Sequence, residues 1–453
     1  MNDSHFDLIV IGTGPSASTV AKKTRSEGKR VAILESREFG GTCALRGCNP
    51  KKVYANAADL YDRAWGAKGK LIEFDGVRID WQKLHAFKRE FTQPVIEKSE
   101  PSYAELGIAT FHGHASFGDW NTVLVNGESL TAERIFIGVG AAPRPLDLPG
   151  ETRAIRSDDF LELVEMPERV TFIGGGYVSM EFACVAARFG ASVTVLQRGQ
   201  QVLTPFDPDL VAQLVQYSAQ HGIQTHTSST VTAIEDASDG RSVIVQYEKS
   251  DQSRSVEADL VVHGAGRVPN LDGMNLELGG IDFGDKGIRV DDCMRSVSNP
   301  IVYAAGDCAD TGKPRLTPTA NEEARIVVKN LFAENPSAQP QYGVIPQVAF
   351  TVPSIAAIGM SQQDAEASYN VDVRHDNTSS WGSVRKTGQR CAGYKILVDK
   401  DTDKILGAHL LGPASEETIN LFALAMKYGL TATDIKATLF AFPTFASDVR
   451  RMV

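Results

Sequence analysis

The sequence contains a strand, a glycine-rich turn, a helix and a second strand in immediate succession, and this unit occurs twice. The first copy, FDLIVIGTGPSASTVAKKTRSEGKRVAILE, carries Gly12, Gly14 and Ala17 at the spacing G-x-G-x-x-A. The second copy, RVTFIGGGYVSMEFACVAARFGASVTVLQR, carries Gly174 and Gly176, and its turn begins 162 residues after the first. One such glycine pattern is a weak indicator, but two in the same context predict two Rossmann-like dinucleotide-binding domains.

The residues of the first turn have distinct expected roles. Gly12 permits the tight turn, and Gly14 lets the backbone approach a pyrophosphate, which the helix N-terminus stabilises. The small side chain of Ala17 allows the helix to pack closely on the strand. Glu35 ends the second strand, 23 residues after Gly12, where its carboxylate can accept hydrogen bonds from ribose hydroxyls.

The second copy differs from the first at the end of its second strand. The residue 23 positions after Gly174 is Gln197, which is not an acid, and Arg198 follows it. A carboxylate there would repel a 2′-phosphate, whereas a neutral amide beside a guanidinium can accept one. We therefore expect the second domain to prefer NADPH over NADH, although an exposed arginine on a solvated turn would give the same pattern.

The rest of the chain predicts a discontinuous first domain and a third domain of different character. NPIVYAAGDCAD reads as a strand ending in glycine, and LTPTANEEARIVVKNLF begins a helix that returns the chain to the first domain. Beyond a polar linker, ILVDKDTDKILGAHLL predicts a β-hairpin and EETINLFALAMKYGL an amphipathic helix. The predicted boundaries are 1–150 and 271–332 for the first domain, 151–270 for the second and 340–453 for the third.

Two of the six cysteines lie five residues apart in FGGTCALRGCNPKK. In a regular helix this spacing gives about 7.5 Å of rise, more than the ~4.4–6.8 Å between the Cα atoms of a disulfide. A bond between Cys43 and Cys48 therefore needs a distorted segment, which Gly47 and Pro50 permit. A staple, a metal half-site and a pair of inert thiols are the alternatives, but the nearby lysines favour a thiolate and hence a redox couple.

Composition limits the classes of function and partner. A formal net charge of −10 argues against nucleic acid or an anionic membrane as the main partner. No apolar run approaches the ~18 residues that cross a bilayer, and MNDSHFDLIVIGTG lacks the basic start of a signal peptide. Six cysteines are too few for a secreted disulfide scaffold, so we expect a cytoplasmic protein.

The chain resembles the FAD-dependent pyridine nucleotide–disulfide oxidoreductases, the family of glutathione reductase, dihydrolipoamide dehydrogenase and mercuric reductase. The matching motifs follow the family's order from end to end: GTGPSA, GGTCALRGC with PKK, GVGAAPRP, IGGGYVSME, GAGRVPN, YAAGD, LTPTA and VAFTVPSIAAIG. The resemblance implies FAD in the first domain, NAD(P)H in the second and a third domain that pairs two subunits. The expected fold class is α/β, with two Rossmann-like dinucleotide-binding domains plus an α+β dimerisation domain.

The resemblance also implies roles for individual residues. Cys48 would lie against the flavin, and Cys43 would be the outer sulfur that attacks the substrate. Lys51, or Lys52 one step on, would lie near flavin N5 and pair with Glu181. The residues expected to bind FAD are Gly12, Gly14, Ala17, Glu35, Thr42, Lys52, Asp307 and Thr317. Those expected to bind NADPH are Gly174, Gly176, Tyr177 and Arg198, with Tyr177 also acting as a gate over the flavin.

The chain departs from this resemblance near its C-terminus. The family's disulfide reductases carry H-P-T-x-x-E there, contributed by the partner subunit, and the histidine protonates the departing thiolate. In AFPTFASDVRRMV, Phe442 stands at the histidine position and Ser447 at the glutamate position. Phe442 either fills space in a degenerate site or keeps proton donors away from the outer sulfur. Because an imidazole contributes ~10²–10⁴-fold in proton transfer, efficient reduction of glutathione disulfide is not expected.

These features predict a homodimeric, FAD-dependent NADPH oxidoreductase with an active site shared across the subunit interface. Electrons would pass through the flavin to a redox disulfide between Cys43 and Cys48, and on to a small-molecule acceptor. The expected acceptors need no histidine acid and include an atypical disulfide and a thioether or carbon electrophile. Two alternatives stay open: an NADPH:quinone or metal-ion reductase acting at the flavin, and a non-catalytic redox-sensing flavoprotein.

Overall fold

The structure is a computed structural model and describes residues 4–453. Within this range the helices α1 to α13 are, in chain order, Pro15–Ser26, Gly41–Leu45, Cys48–Ala67, Trp81–Glu105, Ser157–Phe160, Tyr177–Arg188, Pro208–Ala219, Thr317–Asn330, Gln362–Ser368, Gly382–Arg385, Ser415–Lys427, Ala432–Ala437 and Phe445–Met452. The strands β1 to β25 are His5–Ile11, Val31–Glu35, Ala109–His112, Ser116–Asp119, Thr122–Val125, Glu128–Ile137, Ala141–Pro143, Ala154–Ile155, Arg169–Ile173, Ser192–Leu196, Ile223–His226, Ser229–Asp236, Val243–Lys249, Gln252–Ala258, Leu260–His263, Arg267–Pro269, Phe283–Gly284, Gly287–Arg289, Val302–Ala304, Ala309–Asp310, Gln347–Ala349, Ile355–Gly359, Val371–Asn377, Gly393–Asp399 and Ile405–Leu411. None of the helices in this described range is long and apolar enough to span a bilayer.

The described residues divide into two compact units. The first comprises 4–51, Lys88–Arg144 and Arg267–Tyr342, and the second comprises Lys52–Phe87, Pro145–Gly266 and Gly343–Val453. The second unit therefore holds both the second glycine turn and the C-terminal region. The three domain boundaries expected from the sequence stay a prediction.

The main sheet of the first unit has seven strands in the order β3-β2-β1-β6-β5-β4, with β19 also paired to β6. Strands β3, β2, β1, β6 and β19 are parallel, and Leu8 and Ile11 of β1 lie opposite Val31 and Leu34 of β2. The last four residues of β1 are buried, as is typical of a parallel strand covered on both faces. Because β1 and β2 end at the same edge, the first glycine turn and Glu35 are brought together there.

The second unit contains a parallel sheet built on the second glycine turn. Its five strands have the order β11-β10-β9-β15-β8 and are all parallel. Strand β9, the glycine turn, helix α6 and strand β10 repeat the arrangement of β1, α1 and β2 in the first unit. Both predicted Rossmann-like units are therefore present.

The second unit also contains an antiparallel sheet of the order β21-β22-β25-β24-β23. Strands β24 and β25 form the predicted hairpin, with Gly393 opposite Leu411. Helix α11, also predicted, buries Ile419 and Phe422 in the core beside this sheet. The α/β class with an additional α+β region is confirmed.

A buried ion pair joins helices α3 and α6 within the second unit. The Arg188 guanidinium donates to Asp62 Oδ1 at 2.8 Å, and both side chains are almost inaccessible to water. The Tyr217 hydroxyl donates to Asp62 Oδ2 at 2.9 Å, and Arg188 also donates to the Val352 carbonyl at 3.2 Å. Both carboxylate oxygens of Asp62 thus have donors, which is the condition under which a charge is tolerated in a protein interior.

Replacing Arg188 with methionine should lower the free energy of unfolding by about 3–5 kcal/mol, because the Asp62 carboxylate stays buried without its partner. The double variant Arg188→Met/Asp62→Leu should recover most of this loss, since no charge is then buried. Urea unfolding followed by circular dichroism measures both changes. Equal instability of the single and double variants would contradict this role for the ion pair.

Candidate active site

The first glycine turn leaves open space at the N-terminus of helix α1. Gly12 has a φ of +101°, and a Cβ there would lie 2.5 Å from the Gly138 carbonyl oxygen, so a side chain does not fit. A Cβ on Gly14, which directly precedes the helix, would meet nothing within 4 Å. Ala17 is fully buried and faces Gly138, where a larger side chain would separate helix and strand. This turn fits a pyrophosphate.

Glu35 is held in one orientation at the end of β2. Its Oε2 accepts a hydrogen bond from the Thr13 hydroxyl at 2.5 Å, and its Oε1 accepts from the backbone N–H groups of Ser36 and Arg37 at 2.9 and 3.1 Å. The Thr13 hydroxyl also accepts from the Gly40 N–H at 3.1 Å. One hydroxyl therefore connects the glycine turn, the acid and the cysteine loop. The contact of Glu35 with a ribose stays a prediction.

Asp307 lines a small cleft in the first unit, together with Thr319 and Glu323. Its carboxylate has no hydrogen-bond partner among residues 4–453, and burial raises its pKa. The Thr319 hydroxyl is also buried without a hydrogen-bond partner. Glu323 fixes the turn before Asp307 by accepting from the Gly306 N–H at 2.7 Å. Unpaired polar groups in a cleft fit a polar ligand such as the ribityl chain of FAD.

Cys43 and Cys48 lie on two helices separated by a short break. Cys43 belongs to α2, which ends at Leu45, and Cys48 is the first residue of α3. Gly47 in the break lets the two helices approach, because a Cβ there would lie 2.9 Å from the Thr42 carbonyl oxygen. The helix is thus interrupted between the cysteines, as their spacing predicts. Both cysteines are free thiols in the structure.

The two sulfurs share one proton. A hydrogen bond from Cys43 lowers the pKa of Cys48 to about 6 against the effect of burial, and the Thr317 hydroxyl and the charge of Lys51 lower it further. The same hydrogen bond, together with burial, raises the pKa of Cys43. The Thr317 hydroxyl lies 3.4 Å from the Cys43 sulfur and 3.7 Å from the Cys48 sulfur. At pH 7 the reduced pair therefore holds a thiolate at Cys48 and a thiol at Cys43.

The cysteine loop and the first glycine turn touch through their backbones. Gly41 has a φ of +72°, and a Cβ there would lie 2.4 Å from the Gly14 Cα. No side chain fits at this approach. The loop that carries the two cysteines is therefore fixed directly against the turn that fits the pyrophosphate. The next residue, Thr42, is exposed, and its contact with FAD stays a prediction.

The second glycine turn has the same form as the first. Gly174 has a φ of +95°, and a Cβ there would lie 2.6 Å from the Gly264 carbonyl oxygen. A Cβ on Gly176, which precedes helix α6, would meet only that oxygen, at 3.8 Å. Tyr177 begins α6 and is 46% exposed, so its ring is accessible. Its role as a gate stays a prediction.

Gln197 and Arg198 have different surroundings. The Gln197 side chain braces the turn, since its Oε1 accepts from the Gly175 N–H at 2.9 Å and its Nε2 donates to the Gln201 carbonyl at 3.1 Å. No sequence signal beyond the missing acid indicates this bracing. Arg198 is exposed and makes no hydrogen bond or ion pair with any residue between 4 and 453. Its guanidinium is therefore available to an anionic ligand.

The two lysines after Cys48 also differ. The charge of Lys51 acts on the Cys48 sulfur, whereas the Lys52 ammonium lies 3.0 Å from the centroid of the Phe350 ring. Glu181 is buried, and its Oε1 accepts from the Phe350 N–H at 2.9 Å. Of the two lysines that the sequence left open, Lys51 is thus the one linked to the cysteine pair. Its pairing with Glu181 stays a prediction.

The C-terminal segment carries Phe442 on the surface. Its side chain is 86% exposed, so it does not fill space within its own subunit. Thr444 caps helix α13, accepting from the Ser447 N–H at 3.1 Å, while the Ser447 hydroxyl accepts from the Thr444 N–H at 3.2 Å. Ser447 therefore completes a capping box, a role that the sequence reasoning missed. Neither Phe442 nor Ser447 can replace an imidazole as proton donor.

The chain matches known proteins over nearly its whole length. The pyridine nucleotide-disulphide oxidoreductase family matches residues 6–324, and the dimerisation domain of that family matches residues 345–453. A glutathione reductase from Nostoc sp. is 30% identical over 98% of this chain and 98% of its own length. A mercuric reductase from Staphylococcus aureus is 30% identical over 99% of this chain and 82% of its own length.

The fold also matches a solved structure. The Cu(II) complex of the HOCl-induced flavoprotein disulfide reductase RclA from Escherichia coli aligns with a TM-score of 0.88, covering 100% of this chain and 99% of that chain. The two sequences are 24% identical, so this similarity establishes a common fold.

The variant Thr317→Val should raise the pKa of Cys48, because it removes a hydroxyl that stabilises the thiolate. The thiolate is present above the pKa and is lost as the pH falls below it, so alkylation of Cys48 at pH 6.5 should slow by about two- to fivefold. The measurement is the rate of iodoacetamide labelling of Cys48 in the chemically reduced protein between pH 5 and 9, quantified by mass spectrometry.

The matched control is Thr24→Val, which removes a buried threonine hydroxyl from helix α1 of the same unit. Its labelling profile should coincide with that of the unmodified protein. An unchanged profile in Thr317→Val would show that this hydroxyl does not act on the sulfurs.

Proposed function

Since the chain belongs to the pyridine nucleotide-disulphide oxidoreductase family, we propose that it oxidises NADPH and passes two electrons through FAD and a Cys43–Cys48 disulfide to a small-molecule acceptor. The observation that carries this proposal is the pair of cysteines whose sulfurs lie 3.4 and 3.7 Å from one threonine hydroxyl, in the same unit as the first glycine turn. A thiolate beside a thiol is the state from which a reduced pair can exchange with an acceptor and close again to a disulfide.

FAD binding is assigned to the first unit. The open turn at Gly14, the fixed carboxylate of Glu35 and the unpaired carboxylate of Asp307 fit the pyrophosphate, ribose and ribityl groups in turn. Bound FAD would supply hydride acceptance from a nicotinamide and two-electron transfer to a disulfide, chemistry that side chains do not provide. The residues of this chain hold the sulfurs, and the hydrogen bond from Cys43, helped by Thr317 and Lys51, keeps the inner one ionised.

NADPH binding is assigned to the second unit. The open turn at Gly176 accommodates the pyrophosphate, and the exposed, unpaired Arg198 supports recognition of a 2′-phosphate. Gln197 uses its side chain to brace the turn and brings no negative charge to repel that phosphate. Tyr177 at the start of α6 is the proposed gate, and Glu181 is the proposed partner of Lys51.

Two subunits are proposed to pair through the region that matches the dimerisation domain and to share the active site. Several apolar side chains of this region are exposed in the single chain, namely Leu424 (54%), Tyr428 (70%), Leu439 (90%) and Phe442 (86%). Phe442 of one subunit would lie opposite the cysteine pair of the other and keep water from the outer sulfur. Acceptors that need no proton from a histidine are therefore favoured, among them disulfides of acidic thiols, quinones, metal ions and thioethers that yield a stabilised carbanion.

One competing function is a quinone or metal-ion reductase that works directly at the flavin. Mercuric reductase, by its name, acts on a metal ion and is among the relatives of this chain. The stabilised thiolate at Cys48 favours the disulfide route, because flavin-level reduction does not need it. A non-catalytic redox sensor is the other competing function. A cytoplasmic setting is proposed for all three functions, because a redox couple is more common there than a structural staple.

Anaerobic titration with NADPH tests the disulfide route. One equivalent of NADPH should produce about two new free thiols per subunit and a long-wavelength absorption band from the Cys48 thiolate beside the flavin. In Cys48→Ser the band should be absent, while Cys43→Ser should keep a thiolate at Cys48 and show the band without reduction. If the number of free thiols stays constant while the flavin absorption is lost, the electrons stay on the flavin and the disulfide route is wrong.

The variant Arg198→Ala should raise KM for NADPH by about tenfold, because it removes a charge-assisted contact to the 2′-phosphate, and should change KM for NADH less than twofold. Steady-state kinetics with both nucleotides measure the two effects. Arg241→Ala, which removes another exposed arginine of the second unit, is the control and should leave both values unchanged. Equal changes in KM for NADPH and for NADH would contradict the proposal that Arg198 binds the 2′-phosphate.

A further inference from the structure

An ammonium group lies at the residue that follows the exposed Phe442. Lys386 follows helix α10, and its Nζ donates to the Pro443 carbonyl at 3.5 Å and lies 5.7 Å from the centroid of the Phe445 ring. The side chain is exposed and forms no ion pair with any carboxylate in residues 4–453. Its positive charge is therefore directed to the surface around the segment Phe442–Pro443 without neutralisation.

The segment that carries Lys386 is basic and firmly held. Arg385 and Arg390 flank Lys386, and neither forms an ion pair within the described chain. Gln389 anchors the segment to helix α3 by donating to Asp59 Oδ1 at 2.8 Å. The chain as a whole has a net charge of −10, so this local excess of positive charge is opposite in sign to the rest of the protein.

Helix α13 adds two further cations to the same region. Arg451 lies over the Trp381 ring at 4.1 Å, and Arg450 donates to the Lys436 carbonyl at 2.9 Å, so neither is neutralised by these contacts. Asp448 is the acid on α13, and it is half-buried beside a cavity lined in part by Trp381. The exposed Phe442 thus has the Lys386 ammonium at the residue that follows it, and the helix that comes next in the chain carries two further cations.

We propose that this surface selects an anionic acceptor, with Lys386 binding a negative charge next to an aromatic group that packs on Phe442; the class that fits best is a disulfide of an acidic, carboxylate-bearing aryl thiol. The inference rests on the proposed function, in which Phe442 of one subunit lies opposite the cysteine pair of the other. Lys386 supplies charge recognition, and Phe442 supplies an apolar face. The acidity of the leaving thiol replaces the missing proton donor, because a thiol of lower pKa leaves faster.

The reaction balances without a general acid. The Cys43 thiol first gives its proton to the Cys48 thiolate, and the resulting Cys43 thiolate attacks one sulfur of the aryl disulfide. A Cys43–aryl disulfide forms, the aryl S–S bond breaks and the first aryl thiolate leaves. Cys48 then releases the proton to solvent. The Cys48 thiolate then attacks the Cys43 sulfur, which forms the Cys43–Cys48 disulfide and releases the second aryl thiolate. NADPH supplies both electrons, and the sum is NADPH plus aryl disulfide giving NADP⁺, two aryl thiolates and one proton.

The test compares two aryl disulfides of different charge. The probes are 5,5′-dithiobis(2-nitrobenzoate), which carries two carboxylates, and 4,4′-dithiodipyridine, which is uncharged, each assayed with NADPH and the full-length holoenzyme at low ionic strength. The ratio of kcat/KM for the nitrobenzoate probe to kcat/KM for the pyridine probe should fall about fivefold in Lys386→Gln, as for loss of one exposed charge pair, and further in Lys386→Glu. High salt should reduce the difference between these variants.

The control is Lys400→Gln, which removes an exposed lysine from the turn between β24 and β25 and should leave the ratio at the value of the unmodified enzyme. An unchanged ratio in Lys386→Glu at low salt would overturn the inference, and so would an equal fall in Lys400→Gln. If neither probe is reduced, or if Cys43→Ser reduces both at the original rate, the proposed disulfide route itself fails and the inference fails with it. The two kinds of failure are distinguishable. An unchanged ratio in the lysine variants leaves cysteine-dependent turnover intact, whereas failure of the disulfide route does not.

Discussion

The close approach of two backbone turns is the constraint on which the rest of the active site depends. A side chain at Gly41 would overlap the backbone of Gly14, so the cysteine loop can lie against the first glycine turn only if that position is glycine. The Thr13 hydroxyl strengthens the same contact, because it joins Glu35 to the Gly40 N–H. The first glycine turn, the acid at the end of β2 and the loop that carries the two cysteines are thus held together by direct backbone and hydroxyl contacts.

The reactivity of the sulfurs follows from the helix ends that meet there. Cys48 begins the 20-residue helix α3, and Thr317 begins the 14-residue helix α8, so the positive end of a helix dipole lies at each of them. The Thr317 hydroxyl contacts both sulfurs, and the hydrogen bond between the cysteines leaves the charge on Cys48. The electrostatics therefore distinguish two otherwise similar thiols, one as a stable thiolate and one as a thiol.

The C-terminal segment changes the chemistry expected of such a pair. Where the resembling disulfide reductases have an imidazole and a carboxylate, this chain has an exposed phenyl ring at Phe442 and a helix cap at Ser447. In the proposed dimer, where no imidazole would lie opposite the outer sulfur, the leaving group must be stable as an anion. The unpaired Lys386 beside Phe442 agrees with this requirement, since it would attract an acceptor that is already negatively charged.

The sequence by itself determined the two Rossmann-like units, the β24–β25 hairpin and the break between Cys43 and Cys48, because glycine spacing and hydrophobic periodicity act over short stretches of chain. It did not determine that Gln197 braces its turn, that Ser447 caps a helix, or that Phe442 is exposed. Nor did it place Lys386 next to Pro443, 57 residues away. These features depend on side-chain packing and on contacts between distant segments, and only the tertiary structure decides which polar groups find a partner and which remain available to a ligand.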